Sequence, residues 1–172
     1  MKKLSTLLLA FCMSVTLSMA QNIDKKAEKK LYHPDSDARA DISAAIANAK
    51  KEKKHVMLQI GGNWCSWCIA FDKKVNETAE LQKMMNDNYI VYHLNHSKEQ
   101  KNLDILSELG FPQRFGFPVF VVLDANGNRL HTENSVYLEE GEGHSAKKIM
   151  EFLNNWSSKA LNPEQYNEIK KP

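Results

Sequence analysis

Two cysteines, Cys65 and Cys68, stand three positions apart in the stretch Gly61-Gly62-Asn63-Trp64-Cys65-Ser66-Trp67-Cys68. On the first turn of a helix, sulfurs at i and i+3 can reach each other, and the unpaired backbone N–H groups of that turn favour a thiolate over a thiol. That arrangement suits redox chemistry. A bridge closing so short a loop would remove little chain entropy from the unfolded state, so the pair is read as reactive rather than as a brace.

Holding these sulfurs in place takes a strand that leads in and a helix that leads out. His55-Val56-Met57-Leu58-Gln59-Ile60 provides an apolar run, predicting a strand over 56–60, and helical spacing follows from 65 to about 75. Upstream, Pro34-Asp35-Ser36 offers polar caps for a helix whose Ile42, Ala45, Ile46 and Ala49 share one face. The run Lys50-Lys51-Glu52-Lys53-Lys54 ends it, where cations suit the negative end of the dipole, and reads as a solvated face. Downstream, a helical piece over about 78–86 carries Leu81, Met84 and Met85, the methionines as core filler. A strand over 89–94 follows, and strand, helix, strand at this spacing implies a right-handed parallel crossover.

A helix over about 99–109 should stop at Gly110 in a left-handed cap. The strongest strand, 119–123, comes next. The Asn-Gly step of Asp124-Ala125-Asn126-Gly127-Asn128 matches hairpin chemistry, so a strand from 129 to about 132 should return antiparallel. After a loop at 139–143, a last helix over about 145–156 presents Ile149, Phe152, Leu153 and Trp156 as a core stripe. The fold class is therefore α/β, a central mixed sheet of about four strands flanked by helices. No internal repeat is present, and residues 159–172 read as a polar tail.

The N-terminal residues carry Lys2 and Lys3, an apolar region from Leu4 to about Leu17, and small residues at Ser18 and Ala20 before Gln21. This is the pattern of a cleaved secretory leader, 1–20, and the apolar part is short for a membrane span. A lipoprotein leader through Cys12 is disfavoured by the bulky Phe11 beside it. Residues 21–34 are Lys-rich and aperiodic, predicting a flexible or loosely docked arm before a single domain over 35–158. Two of the 23 lysine and arginine residues lie in the leader, so the remainder equals the 21 acidic residues. A net charge of zero gives no pointer to nucleic acid or to an anionic membrane. Cys12 leaves with the leader, and Cys65 and Cys68 stay.

Trp64-Cys65-Ser66-Trp67-Cys68 after a strand, with Gly116-Phe117-Pro118 before a strong strand and an Asn-Gly hairpin, resembles the thioredoxin superfamily. Residues 41–51 together with Gly61-Gly62-Asn63-Trp64-Cys65 are similar more narrowly to bacterial secreted thioredoxin-like proteins, described as thiol-disulfide oxidoreductases. The resemblance implies a thioredoxin-like fold with Cys65 as the exposed attacking sulfur and Cys68 as the resolving one. It also implies a cis Phe117-Pro118 bond beside the sulfurs, with the Phe117 backbone pairing an extended substrate peptide and Trp64 giving it an apolar contact. The plainer alternative is a trans proline that simply starts the strand. Ser66 and Trp67 tune the pair, though Trp67 could equally be buried against the helix. Substrates would be proteins or peptides with disulfides or thiols, met by a monomer without cofactor.

The chain departs from that pattern in two places. Gln59 stands where thioredoxins carry a buried acid, and His93 where they carry a lysine paired with it. An amide takes no proton in the physiological range, so either His93 or a water held by Gln59 serves, or His93 is merely a satisfied strand histidine.

Two other classes compete. A copper or zinc carrier needs about two further ligands, and His55, His93, His96, His131 and His144 have no motif spacing. Covalent haem is disfavoured because Ile69, not histidine, follows Cys68. A non-catalytic binding module would keep its partner with Cys65 blocked. The leader, with no endoplasmic-reticulum retrieval signal in Ile169-Lys170-Lys171-Pro172, points to a bacterial periplasm, where a reductase needs electrons from a membrane partner.

Overall fold

The computed structural model describes residues 30–170. The leader expected at 1–20 and most of the arm expected at 21–34 lie outside the described residues. Among the described residues no helix is long and apolar enough to cross a membrane.

Strand β1 (His55–Gly61) lies inside a four-stranded sheet of order β2-β1-β3-β4, with β2 at Tyr89–Asn95, β3 at Val119–Leu123 and β4 at Arg129–Asn134. It runs parallel to β2 and antiparallel to β3, and β3 pairs antiparallel with β4. Every residue of β1 is buried, which is why its sequence is a nearly unbroken apolar run. Side chains alternate between the two faces. Val56, Leu58 and Ile60 join Val119, Val121 and Leu123 under α1 (Ala38–Glu52) and α4 (Leu103–Glu108). Met57, Phe120 and Val122 face the other way, against α2 (Ser66–Glu77), α3 (Ala79–Asn88) and α5 (Ala146–Asn155). The result is a three-layer domain.

Local chemistry sets the helix limits. Asp37 caps α1 by accepting from the N–H groups of Arg39 and Ala40, and Lys53 ends it in the left-handed region. Leu81 and Met85 are buried and Met84 packs beside them. Gly110, φ +78, follows α4, and its N–H and that of Phe111 return to Ser107 and Leu106.

Two expectations need correction. The helix expected over about 99–109 is helical only at Leu103–Glu108. Asn95 Nδ2 donates to Ser97 Oγ and the Gln100 carbonyl, and Asn102 Nδ2 donates to the Asn95 carbonyl, so side chains there offer the backbone an alternative to a helical turn. The β3–β4 connection at 124–128 returns the chain antiparallel, as expected. Gly127 alone has positive φ, and Asp124 Oδ1 accepts from the N–H groups of Asn126 and Asn128, giving a five-residue loop with an irregularity at Val122/Leu123. The loop expected at 139–143 contains a small hairpin of β5 (Glu139–Glu140) and β6 (Gly143–His144).

Phe120 is wholly buried, 4.3 Å from the Phe71 ring centroid and 6.0 Å from that of Phe152. Phe120→Ala should cost about 3–5 kcal/mol in equilibrium denaturation, through the lost burial and the cavity left behind.

Candidate active site

The end of β1 carries the chain to the edge of the sheet, where it must turn tightly into α2. Gly61 accepts from the His96 N–H at 2.5 Å, and the Cys65 N–H donates to the Gly62 carbonyl at 3.0 Å. The Trp64 indole lies over Gly62 and donates through Nε1 to the His96 carbonyl at 2.8 Å, so a side chain at 62 would collide with the ring. Cys65 is the N-cap of α2, and its Sγ accepts from the Cys68 N–H at 3.1 Å. The two cysteines form a disulfide, their Cα atoms 5.2 Å apart.

Cys65 is less open than expected, with 5% of its surface accessible, while Cys68 has none. Leu31, Tyr32, Trp67 and Phe117 pack around the pair, and this cover is the reason. Cys65 still keeps the only accessible surface of the two sulfur-bearing residues.

The Phe117-Pro118 bond is cis, and Pro118 is buried. Ile60 is opposite Val119 in the ladder, so Phe117 and Pro118 lie at the edge where β1 delivers Gly61. Val119 is the first residue of β3 to pair, which leaves Phe117 outside the ladder. The Phe117 ring meets Trp64 edge-on at 5.4 Å and stacks on His96 at 5.0 Å. Trp64 is 59% exposed beside it. Ser66, the first residue of α2, is exposed. Trp67 is half-buried, its ring 5.3 Å from that of His144, which favours the packed alternative for that residue.

Behind Cys68 the surroundings are polar and buried. Gln59 is buried on β1, and its Nε2 donates to the Cys68 carbonyl at 3.0 Å and to the Tyr32 hydroxyl at 3.1 Å. Tyr32 is fully buried although it belongs to the segment expected to dock loosely. Asn63 fixes it there, accepting from the N–H groups of Leu31 and Tyr32 and donating to the Tyr32 carbonyl at 2.7 Å. Burial pushes the Tyr32 phenol well above its ordinary value; the Gln59 hydrogen bond opposes this and Asp72 adds to it. His93 is opposite Gln59 in the ladder and meets the Tyr32 ring edge-on at 5.5 Å. Its Nε2 is 3.6 Å from Asp72 Oδ1, too far for a hydrogen bond, and has no such partner among the described residues. Asp72 and His93 line an open groove of about 1110 Å³ on that side.

Tyr32 and Asn63 were missed by sequence reasoning. The available signal was Leu31-Tyr32, the only adjacent apolar pair in residues 21–34. The histidines considered as metal ligands are scattered: His55 bonds the Trp156 carbonyl, His96 that of Lys101, His131 contacts Glu133, and His144 sits under Trp67. Among the described residues, no three His, Cys, Asp or Glu side chains gather as a metal-holding group.

A three-layer α/β domain with a disulfide at a helix N-terminus and a cis-proline at the neighbouring strand start defines a thioredoxin-type protein. The thioredoxin-like family matches over residues 37–125, more than half of the chain, and the chain belongs to that family. No curated protein matches it by sequence. Among solved structures, it is similar to a disulphide isomerase from Xylella fastidiosa Temecula1, at 25% identity and TM-score 0.64, over 72% of this chain and 94% of that one. It also matches the C-terminal domain of Neisseria meningitidis DsbD in the oxidised form, at 21% identity and TM-score 0.44, over 68% of this chain and 95% of that one.

Two outcomes follow from this packing. A Cβ at Gly61 would run into Cys68 Sγ and come within 2.9 Å of Tyr32 Oη, so Gly61→Ala should cost about 1–3 kcal/mol in a denaturation midpoint, by forcing the two apart. His144 is buried with both ring nitrogens lacking hydrogen bonds among the described residues. Burial lowers its pKa from 6.5, with Glu139 opposing. The unfolded chain therefore takes up a proton on acidification that the folded chain resists, so stability present above pH 6.5 is lost as pH falls towards the folded value. His144→Phe should flatten that part of the stability profile between roughly pH 7.5 and pH 5.

Proposed function

We propose that this chain exchanges disulfides with thiols of other polypeptides through Cys65 and Cys68. The observation that carries this reading is the Cys65–Cys68 disulfide capping α2, at the edge where Phe117-Pro118 begins β3. As a thiolate, Cys65 faces the positive end of the helix and accepts from the Cys68 N–H, which favours the anion. In the reducing direction that thiolate attacks a substrate disulfide to form a mixed disulfide, and Cys68 then displaces the substrate thiolate. In the oxidising direction a substrate thiolate attacks the Cys65–Cys68 bond and the same steps run in reverse.

Substrate contact in this reading falls to Trp64, Phe117 and Pro118. Phe117 lies outside the ladder, so its peptide groups can pair with an extended segment, while the exposed Trp64 ring covers an apolar side chain of the substrate. Ser66 and Trp67, between the cysteines, set the balance between thiol and disulfide. The leader-like N-terminus supports export, with a bacterial periplasm as the working compartment and a membrane protein as electron donor or acceptor.

A Cys68→Ser variant expressed with its leader tests the reading. It should accumulate mixed disulfides through Cys65 that are dispersed by reductant, and the captured proteins are the substrates. No capture, together with a wild-type protein that reduces no model disulfide, would sink the proposal. A thiol-disulfide redox titration of the wild type then gives the direction of flow.

A further inference from the structure

Among the described residues, the buried side of Cys68 holds a hydrogen-bond donor with no acceptor. Gln59 Nε2 carries two hydrogens, and both are used, one on the Cys68 carbonyl and one on Tyr32 Oη. The amide orientation is fixed by the first of these, because a carbonyl oxygen only accepts. Tyr32 Oη is therefore an acceptor towards Gln59, and its own hydrogen has no acceptor among the described residues. Close by is the Cys68 sulfur. Cys68 Sγ and Tyr32 Oη crowd the same point in space, the position that a Cβ on Gly61 would occupy, and Tyr32, Cys65 and Cys68 form one buried cluster.

We infer that, once the Cys65–Cys68 bond is open, the Tyr32 hydroxyl donates to the Cys68 thiolate and holds the resolving sulfur in its reactive form. The inference rests on the exchange chemistry proposed above. In the resolving step a bond forms between Cys68 Sγ and Cys65 Sγ, and the bond from Cys65 to the substrate sulfur breaks. The electron pair leaves on the substrate thiolate, which takes up one proton in place of the one Cys68 gave up. Tyr32 keeps its proton throughout, and no outside oxidant or reductant is needed.

The surroundings favour donation over base catalysis. Burial keeps the phenol protonated through the working pH range, so it offers a hydrogen and accepts no further proton. The titratable groups facing this pair are Asp72 from α2 and His93 from β2; His144 on β6 is set apart by Trp67 and Phe71. An anion at Cys68 is otherwise poorly solvated, since the residue has no accessible surface. A hydrogen bond to a charged group is the strong kind, and its loss is felt as thiolate fraction.

The test is the pH dependence of the ultraviolet thiolate absorbance of Cys68 in a Cys65→Ser protein, with and without Tyr32→Phe. Phenylalanine keeps the ring that fills the site and removes only the hydroxyl. The profile should move to higher pH by about one unit, which is about tenfold less thiolate near neutrality. A merely structural role would lower the denaturation midpoint and leave the profile in place, and an unmoved profile overturns the inference. Should the doubly substituted protein fail to fold, ¹³C NMR of the Tyr32 Cζ in the Cys65→Ser protein decides instead. That resonance should titrate with Cys68, and a flat response overturns the idea. Thiolate absorbance needs no substrate, so a shifted profile with an empty Cys68→Ser trap counts against the exchange reading alone. A filled trap with an unmoved profile counts against Tyr32 alone.

Discussion

Burial of β1 on both faces is the constraint from which the rest follows. A strand covered above and below must satisfy its backbone on both edges, and β2 and β3 do so, parallel on one side and antiparallel on the other. The antiparallel partner brings the start of β3 to the point where β1 ends, so the Cys65 turn and the Phe117-Pro118 peptide are neighbours by register. Two glycines make the turn possible, one lying under a tryptophan ring and the other under a sulfur and a phenol. The helix that follows aims its unpaired N–H groups at the first cysteine.

The two sulfurs then find themselves in different media. Cys65 keeps a little accessible surface at the rim, near exposed Trp64 and the Phe117 ring. Cys68 is enclosed, with an amide and a phenol behind it, and Gln59 stands where the family resemblance implies a buried acid and His93 where it implies a lysine. An amide in place of a carboxylate avoids burying an unpaired charge beside a sulfur that is itself neutral when bonded. In the proposed reaction, the site would meet an anion at Cys68 with hydrogen-bond dipoles instead of a resident charge.

Most of the sheet was legible because its signals are local and strong. The apolar run before Gly61 and the valine-rich 119–123 have the length of buried strands, and α1 follows a polar stretch whose Asp37 caps it. Cys65 and Cys68 were legible as a pair from residue type and spacing, while the place of Pro118 beside them was legible only through the family resemblance. Residues 99–102 misled because helix propensity competes there with asparagine side chains bonding the backbone, and that outcome depends on Asn95, seven positions before Asn102. Tyr32 was illegible for a related reason. Its burial depends on Asn63, 31 positions away, and beyond the adjacent Leu31-Tyr32 pair the Lys-rich stretch carries no sign of a long-range clamp. The reduced accessibility of Cys65 likewise comes from side chains brought together only by folding.

The Asn63 clamp ties two things that the sequence keeps apart. One amide side chain grips the backbone of Leu31 and Tyr32 from within the loop that carries Cys65. Tension on the polypeptide upstream of Leu31 is thereby transmitted straight to the dithiol loop, and peeling that segment away would strip the phenol from Cys68 and open the back of the site to water. The Cys65 loop and the segment leading into α1 are in this sense one mechanical unit.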